Sequence, residues 1–391
     1  MRIAILHNTY LQQGGEDTVF ASEVELLRSY GHEVLTYTVS NEATAGVPAW
    51  RLAKQSIWNP QTYRDLLSWF EKYKPDVAHF HNWMYVLSNS AYQAAQECQV
   101  PVVQTLHNYR LICSGGQLLR NRRPCEICVG KRFPLWGVYY GCFRGSRKLT
   151  LIRTLAVQKH KRYWRDTIQI FIALTEFAKA KFVQGGLPPD KIFVKPNFVM
   201  PDPGEGTHEG DYALFAGRLS EEKGIRVLLE AWQMLPESFR LVIAGDGPLA
   251  NLVQQSQQRM PNITWLGKVP SSEVARLMQE ASILVFPSIS YEGLGMSVLE
   301  AMASGLPIVA SGHGAMSSVV EHQVSGWLFA PGDARSLRDA VVEAFRTPDL
   351  RRQLGQQARQ IYLQRYTPER NYEMLIDIYH RAIASKKGAA S

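Results

Sequence analysis

The sequence predicts an α/β protein made of two doubly wound, Rossmann-like domains that face each other across a cleft. Short apolar runs, typical of buried strands, alternate with longer amphipathic segments along the whole chain. This alternation favours parallel sheets that carry helices on both faces. A length of 391 residues, with 46% hydrophobic residues, is enough for two domains of about 150–200 residues each.

The N-terminal domain is expected to span residues 1–198 and to begin with a strand, Arg2–Leu6, followed by an amphipathic helix over Thr18–Tyr30. Five further apolar runs predict strands at Glu33–Thr38, Asp76–Phe80, Val100–Leu106, Gln169–Leu174 and Ile192–Lys195. The segment from Pro196 to Asp211 is rich in proline, glycine and acidic residues and has no apolar period. It therefore indicates a linker between domains.

The C-terminal domain is expected at residues 199–366, with a second series of alternating strands and helices. Its predicted strands are Tyr212–Ala216, Arg240–Ala244, Ile263–Leu266, Ile283–Phe286, Ile308–Ala310 and Trp327–Phe329, and its clearest helices are Ile225–Leu235, Ser272–Glu280 and Arg335–Phe345. We expect the amphipathic tail, residues 367–386, to form a helix that packs back on the N-terminal domain.

Positive charge is concentrated in the N-terminal half of the chain. The net charge is +8, yet residues 1–200 contain 25 Lys and Arg against 14 Asp and Glu. Glu126 is the only acidic residue between Arg110 and Arg165. No nucleic-acid-binding motif accompanies this basic region, so we expect an anionic membrane surface, a phosphate-bearing acceptor or a solvated face rather than nucleic acid. The sequence shows neither a signal peptide nor a spanning segment, which favours a cytoplasmic protein, peripheral at the inner face of the membrane.

A glycine-rich turn framed by two acids is the most informative motif. Glu292, Gly293, Leu294, Gly295 and Met296 follow a buried strand, and the chain then continues as an apolar helix that carries Glu300. Backbone N–H groups at such a helix start favour a bound anion.

Three other strand ends carry residues that suit a diphosphate or a nucleotide. Gly217–Gly224 contains Arg218 and Lys223, five residues apart, whose charges could hold a diphosphate or could instead pair with the neighbouring Glu221 and Glu222. Gly245 and Asp246 form a tight turn after the next strand, and Asp246 could equally cap the following helix. Lys268 and Val269 follow a third strand, where main-chain groups could contact a base.

Together these motifs resemble the donor domain of retaining glycosyltransferases of the GT-B fold, and specifically glycosyltransferase family 4 (glycosyl transferases group 1). The resemblance covers residues 212 to about 363 and includes the two glutamates with seven residues between them and Ala301–Ala310. It implies that Arg218 and Lys223 hold the donor diphosphate and stabilise the departing nucleotide, that Glu292 and the backbone of Gly293–Met296 bind the sugar, and that Glu300 binds the ribose. Lys268 and Val269 would flank the base.

The N-terminal half resembles the same family more loosely. The glycine pair Gly14 and Gly15 opens a helix and, by this resemblance, lies near the donor diphosphate, with Glu16 touching the acceptor. Asp17 could act here as a simple helix cap. His107 follows the strand Val100–Leu106 and corresponds to a family histidine beside the reacting sugar. His81 follows an earlier strand and either contacts the acceptor or packs.

The family resemblance also implies the chemistry. A retaining transfer by front-face attack needs no enzymic nucleophile, and catalysis then rests on positioning and electrostatic stabilisation, with Arg218, Lys223, Glu292 and His107 as the catalytic residues. The donor would be a nucleotide-diphosphate sugar with no catalytic metal, and the acceptor a glycan or lipid-linked saccharide. A sugar-nucleotide epimerase of the same fold and a non-catalytic nucleotide-sugar-binding subunit remain alternatives. The nucleotide, sugar, linkage and oligomeric state are not specified.

A cysteine-rich insertion at about residues 110–150 lies at the centre of the basic region. Cys113, Cys125, Cys128 and Cys142 have a spacing that suits a structural zinc site, reduced thiols packed in a loop, or a disulfide. The same insertion interleaves basic side chains with aromatic ones: Phe133, Trp136, Tyr139, Tyr140 and Phe143. We expect it to form a platform for an acceptor or for an anionic membrane surface.

Overall fold

The computed structural model describes residues 1–9, 14–40, 47 and 49–388. The chain separates into two compact units. Unit 1 contains the described residues among 1–117, 126–197 and 371–391, and unit 2 contains residues 118–125 and 198–370.

Strands and helices alternate in both units. The strands are β1 (Arg2–Thr9), β2 (Glu33–Ser40), β3 (Val77–Phe80), β4 (Val102–Leu106), β5 (Leu119–Arg120), β6 (Arg123–Pro124), β7 (Ile168–Ala173), β8 (Ile192–Val194), β9 (Tyr212–Ala216), β10 (Arg240–Ala244), β11 (Ile263–Gly267), β12 (Ile283–Phe286), β13 (Ile308–Ser311) and β14 (Gly326–Phe329). The helices are α1 (Gly15–Ser29), α2 (Ala49–Ile57), α3 (Pro60–Tyr73), α4 (Ser90–Glu97), α5 (Leu135–Tyr139), α6 (Arg147–His160), α7 (Tyr163–Asp166), α8 (Glu176–Gln184), α9 (Ile225–Trp232), α10 (Ala250–Arg259), α11 (Ser271–Glu280), α12 (Met296–Ser304), α13 (Met316–Val319), α14 (Ala334–Arg346), α15 (Pro348–Arg365) and α16 (Pro368–Gly388).

Unit 1 is organised around a six-stranded parallel sheet in the order β2-β1-β3-β4-β7-β8. Its central strands are buried along their length because helices cover the sheet, which is why they appear in the sequence as continuous apolar runs. The C-terminal helix α16 contributes Leu375, Ile378, Tyr379 and Ala382 to the same hydrophobic core as Ile5 of β1. The order of the strands reverses between β1 and β3, so the loops after these two strands lie side by side.

Unit 2 contains a second six-stranded parallel sheet, in the order β11-β10-β9-β12-β13-β14. The apolar faces of α9 and α14 pack with this sheet into one core that includes Trp232, Trp327 and Val341. The order of the strands reverses between β9 and β12. In open α/β sheets, ligands bind beyond the carboxyl ends of the strands at such a reversal, so this edge of unit 2 is the expected ligand site.

Residues 118–125 form a short antiparallel hairpin that belongs to unit 2. Leu119 packs against the hydrophobic core of this unit, and Arg120 pairs with Arg123 across the turn. The sequence analysis did not predict this hairpin, because two strands of two residues each carry no readable period. Within the described residues, none of the helices combines the length and the apolar character needed to cross a bilayer.

Candidate active site

The two loops at the reversal in unit 2 bring Lys223 and Glu292 into contact. Lys223 ends the loop after β9, Glu292 lies in the loop after β12, and the ammonium Nζ is 2.9 Å from the carboxylate Oε1. The hydroxyl of Ser288 is 2.6 Å from the same carboxylate oxygen and 2.9 Å from the carbonyl oxygen of Glu222. Both charged side chains are about one-fifth exposed, so they are ordered yet accessible to a ligand. Neither the pairing nor its geometry could be derived from spacing alone.

Glycines allow these loops to approach each other more closely than other residues would. A β-carbon on Gly224, where φ is +73°, would lie 1.9 Å from the carbonyl oxygen of Pro287. A β-carbon on Gly245 would lie 1.8 Å from the carbonyl oxygen of Gly217, and one on Gly247 would lie 2.6 Å from that of Leu219. The loops after β9, β10 and β12 are therefore packed backbone against backbone, and only glycine fits at these positions.

Arg218, Asp246 and Lys268 follow β9, β10 and β11 and are exposed at the same edge of the sheet, and Val269 beside Lys268 is half-buried. The carboxylate of Asp246 accepts a hydrogen bond from the N–H of Gly247 at 2.7 Å. Helix α10 begins only at Ala250, so Asp246 does not cap it. The alternative prediction, that Asp246 caps the helix after this turn, is therefore wrong. The pairing of Lys223 with Glu221 or Glu222 is not observed either, since Glu221 binds Arg226 at 2.7 Å.

Helix α12 starts at Met296, directly after the turn formed by Gly293, Leu294 and Gly295, so its first N–H groups lie next to Glu292 in the chain. The first turn of a helix has no intrahelical acceptors for these donors, which favours an anion or a hydroxyl there. Glu300 lies in the middle of the same helix and is mostly buried, and this burial raises the pKa of its carboxyl group. A buried carboxylate of this kind is stabilised by ligand hydroxyl groups that donate to it.

In unit 1, the start of helix α1 lies beside the end of β1. The carboxylate of Asp17 accepts from the N–H of Gly14 at 2.8 Å, and its other oxygen lies 2.8 Å from Nε2 of the buried His7. Asp17 therefore acts both as a capping residue and as the partner of a histidine. Gly15, which is exposed, and Glu16, which is half-buried, begin the first turn of α1. Residues 10–13 lie outside the described ranges.

His81 and His107 lie together after β3 and β4. Nδ1 of His81 is 3.0 Å from Nε2 of His107, and the two rings are stacked. His81 is buried, whereas His107 is partly exposed. Burial and the neighbouring His81 hold the pKa of His107 well below its usual value, so its imidazole is neutral at pH 7.

Two charged residues that the sequence analysis did not select lie behind these histidines. Glu23 of α1 and Lys195, which follows β8, are about 1% exposed and form an ion pair at 2.6 Å. The sequence gives two signals for this buried pair: a glutamate lies in the apolar stripe of α1, and a lysine lies at the end of a buried strand. Burying such charges is costly unless they are paired, so each predicts a partner.

The three cysteines of unit 1, Cys113, Cys128 and Cys142, are not brought together as a metal-binding group. Within the described residues, the one group of three or more His, Cys, Asp or Glu side chains with ligand atoms inside 4.8 Å is Glu23, His79 and His81. No disulfide joins the described cysteines, and Cys125 belongs to unit 2. The structure therefore favours the reduced, loop-packed alternative, and the zinc site stays a prediction.

The basic insertion presents large apolar side chains to solvent. Leu135, Trp136, Tyr139 and Tyr140 of helix α5 and its end are 42–64% exposed. The exposed Arg147 at the start of α6 donates from Nε to the carbonyl oxygen of Tyr139 at 2.8 Å and lies over its ring. Exposed aromatic and basic side chains thus form one surface, which we call the α5 surface.

Comparison with known proteins agrees with the fold and with the predicted family. The family model described as glycosyl transferases group 1 matches residues 203–361, and a glycosyl transferase 4-like domain matches residues 14–197. The chain belongs to the group 1 glycosyltransferases. The predictions of the family and of the GT-B fold are thereby confirmed.

Named relatives come from glycan and glycolipid synthesis. The amylovoran biosynthesis glycosyltransferase AmsK of Erwinia amylovora is 27% identical over 241 residues, which are 57% of this chain and 57% of that protein. The alpha-monoglucosyldiacylglycerol synthase of Streptococcus pneumoniae is 24% identical over 373 residues, 90% of this chain and 80% of that protein. Among solved structures, Anabaena HepE in complex with UDP-glucose has a TM-score of 0.70 at 16% identity, with full coverage of both chains. At this identity the likeness shows the fold.

Proposed function

We propose that this glycosyltransferase moves a hexose-type sugar from a nucleotide-diphosphate sugar to a glycan or lipid-linked saccharide, with retention of configuration at the transferred carbon. The observation that carries the proposal is the contact between Lys223 and Glu292 at the reversal of the sheet in unit 2. An ammonium group for a phosphate and a carboxylate for sugar hydroxyls meet there, beside the start of α12.

Each part of the donor has a matching group in this site. Arg218 and Lys223 bind the diphosphate, and the first turn of α12 adds backbone donors. Glu292 binds the sugar hydroxyls, and the buried carboxylate of Glu300 accepts hydrogen bonds from the ribose hydroxyls, which stabilise its ionised form. Main-chain groups around Lys268 contact the base. HepE was crystallised with UDP-glucose, which supports a UDP-hexose as the first donor to test.

The chemistry follows from the charges. The bond between the sugar carbon and the phosphate oxygen breaks first, and Arg218 and Lys223 stabilise the negative charge that develops on the leaving diphosphate. The acceptor hydroxyl attacks from the same face, its oxygen bonds to the sugar carbon, and its proton passes to the leaving phosphate. The proposal includes no catalytic metal, since these two cations supply the positive charge. The neutral side chain of His107 belongs to the acceptor part of the proposed site, as do Glu16 and His81.

We also propose that the α5 surface binds an anionic membrane from its cytoplasmic side, where a lipid-linked acceptor would be presented. Exposed Leu135 and Trp136 suit insertion among lipid headgroups, and the surrounding arginines and lysines suit anionic lipids. Flotation with phosphatidylglycerol-containing liposomes tests this. Leu135→Asp should reduce flotation, whereas Leu363→Asp, at an equally apolar exposed position of α15 in unit 2, should not. Equal flotation of the two variants would contradict the proposal.

A panel of nucleotide sugars tests the function and separates it from its alternatives. One donor should raise the melting temperature and slowly release nucleoside diphosphate by hydrolysis. An epimerase would instead return an epimeric nucleotide sugar, which chromatography and NMR detect, without release of diphosphate. A non-catalytic subunit would show the thermal shift with no turnover. Neither binding nor turnover with any donor would contradict the proposal.

A further inference from the structure

A line of four polar side chains runs through unit 1 and ends at His107. The ammonium of Lys195 donates to Oε1 of Glu23 at 2.6 Å. Oε2 of Glu23 lies 3.1 Å from Nε2 of His81, and Nδ1 of His81 lies 3.0 Å from Nε2 of His107. The proposed transfer gives a role to His107 and His81 but none to Glu23 or Lys195. A chain of buried charges with contacts this short needs an explanation.

The fold places each member of the line. His81 and His107 follow β3 and β4, and Lys195 follows β8, so all three lie at the carboxyl ends of strands of the same parallel sheet. Glu23 lies on the face of α1 that packs on this sheet and is fully buried. Lys195 is fixed further by Asn371 of α16, whose side-chain oxygen accepts from the ammonium at 3.1 Å.

The carboxyl group of Glu23 is ionised. Burial alone would raise its pKa, but the ammonium of Lys195 lowers it, and the net pKa lies well below the usual value. An ionised carboxylate can only accept hydrogen bonds, and a lysine ammonium can only donate them. The charge of Glu23 therefore determines where the protons of the two histidines lie.

The direction determines which nitrogen of His107 carries the proton. The contact between Oε2 of Glu23 and Nε2 of His81 lacks hydrogen-bond geometry, but at 3.1 Å the charge of the carboxylate favours a proton on the nitrogen that faces it. Lys195 already balances the charge of Glu23, so a second buried cation at His81 is disfavoured. With its single proton on Nε2, the ring of His81 accepts at Nδ1 from Nε2–H of His107. His107 is left with an unprotonated Nδ1, which is a hydrogen-bond acceptor.

A metal ion is a poorer explanation of the same residues. Glu23, His79 and His81 lie within the distance that a metal site would need. Both ring nitrogens of His79 already have hydroxyl partners, however: Tyr379 at 2.8 Å and Thr105 at 2.7 Å. The ammonium of Lys195 on the same carboxylate would repel a cation.

We propose that Lys195 and Glu23 are positioning residues that act through His81 to hold His107 in its Nε2–H tautomer, so that Nδ1 accepts a hydrogen bond from an acceptor hydroxyl other than the attacking one. The role of the tautomer in transfer rests on the proposed function, whereas the tautomer itself does not. The other titratable groups around the line are His79 on β3, Tyr379 on α16, and His7 on β1 with its partner Asp17 on α1.

The decisive variant is Glu23→Gln, which keeps the shape of the side chain and reverses the direction of hydrogen bonding along the line. Lys195 can only donate, so it will face the amide oxygen of the new side chain and turn the amide NH₂ toward His81. Nε2 of His81 must then accept, Nδ1 must donate, and His107 must carry its proton on Nδ1. Long-range ¹H–¹⁵N NMR of protein labelled with ¹⁵N-histidine reads both tautomers directly, and His107→Asn assigns the signal.

We expect the Nε2–H tautomer of His107 in the native protein and the Nδ1–H tautomer in Glu23→Gln. The turnover number should fall by roughly tenfold or more, as it does when an orienting partner is altered, with an unchanged KM for the donor. The Nδ1–H tautomer in the native protein, or no reversal in Glu23→Gln, would overturn the proposal. Reversal with unchanged turnover would overturn the positioning role.

Two further variants make the result specific. Tyr379→Phe removes a hydroxyl from His79 but leaves the line intact, so the tautomer and the turnover number should not change. The same reversal in Tyr379→Phe would show general loosening and contradict the proposal.

If Glu23→Gln does not fold, Lys195→Met takes its place: the pKa of Glu23 should rise, and the reversal should appear as pH falls. Because NMR needs no substrate, a protein inactive on every donor would refute the proposed function and leave the tautomer measurable.

Discussion

Gly224→Ala is the substitution whose effect follows most directly from the structure. Gly224 has a φ of +73°, and an added β-carbon would lie 1.9 Å from the carbonyl oxygen of Pro287. Since such contacts are not shorter than 3.0 Å, the two loops must separate by about 1.1 Å. These loops carry Lys223 and Glu292, whose charged groups are 2.9 Å apart.

The magnitude has two parts. Left-handed backbone costs a non-glycine residue about 1–2 kcal/mol. Forcing an extra carbon into a packed site costs a further 1–3 kcal/mol or so. We therefore expect the free energy of unfolding of unit 2 to fall by about 2–5 kcal/mol. Displacement of catalytic groups by about 1 Å lowers turnover by roughly 100-fold.

Gly332→Ala is the matched control. Gly332 has a φ of +75°, and a β-carbon there would meet nothing within 4 Å, so this variant has the backbone cost without the clash. Urea unfolding should show Gly224→Ala to be less stable than Gly332→Ala by about 1–3 kcal/mol, and only Gly224→Ala should lose turnover. Equal stability of the two variants, with full activity in both, would refute the reasoning.

Three further predictions concern the donor site and the thiols. Lys223→Ala and Glu292→Ala should abolish transfer and keep a native circular dichroism spectrum, whereas Arg226→Ala, in a neighbouring surface ion pair, should stay active. Nucleotide affinity, measured by calorimetry, should increase as pH rises through the raised pKa of Glu300, because ribose hydroxyls donate to the ionised carboxylate; Glu300→Gln should abolish this dependence. Thiol titration in denaturant should find five reactive thiols, and metal analysis of the native protein should find no stoichiometric zinc; fewer than five thiols would contradict the first prediction, and one zinc per chain would contradict the second.

The fold could be predicted because the sequence patterns that indicate its strands and helices are local and recur along the chain. Each buried parallel strand, such as Ile283–Phe286, appears as an apolar run, and each is followed by an amphipathic helix. Two series of six such runs imply two sheets, and both sheets were observed. The order of strands within a sheet depends on contacts distant in the sequence, so the reversal between β9 and β12 required the structure.

The donor loops could be selected for a similar reason. Glycines, charged residues and helix starts after successive strands are visible in the sequence, and Lys223 and Glu292 were both chosen. Their mutual contact was not foreseen, because it depends on β9 and β12 being neighbours. The cysteine spacing suggests a site, but within the described residues Cys113, Cys128 and Cys142 do not form a group with ligand atoms inside 4.8 Å, so zinc binding stays a prediction.

The buried pair of Glu23 and Lys195 shows where prediction from sequence ends. The two residues are 172 positions apart, and each alone looks like an ordinary charged residue. Only the packing of α1 and β8 in one unit shows that both are buried and that their charges compensate. The proposed tautomer of His107 follows from the directions of hydrogen bonds, which the pattern of apolar residues in the sequence does not reveal.

The most direct test of the central claim is calorimetric binding of a nucleotide-diphosphate sugar to the native protein and to Lys223→Ala. The account predicts that one donor binds the native protein with one site per chain, that nucleoside diphosphate is released on incubation, and that Lys223→Ala loses both binding and release. Unchanged binding by the variant, or no binding of any nucleotide sugar by folded native protein, would contradict it.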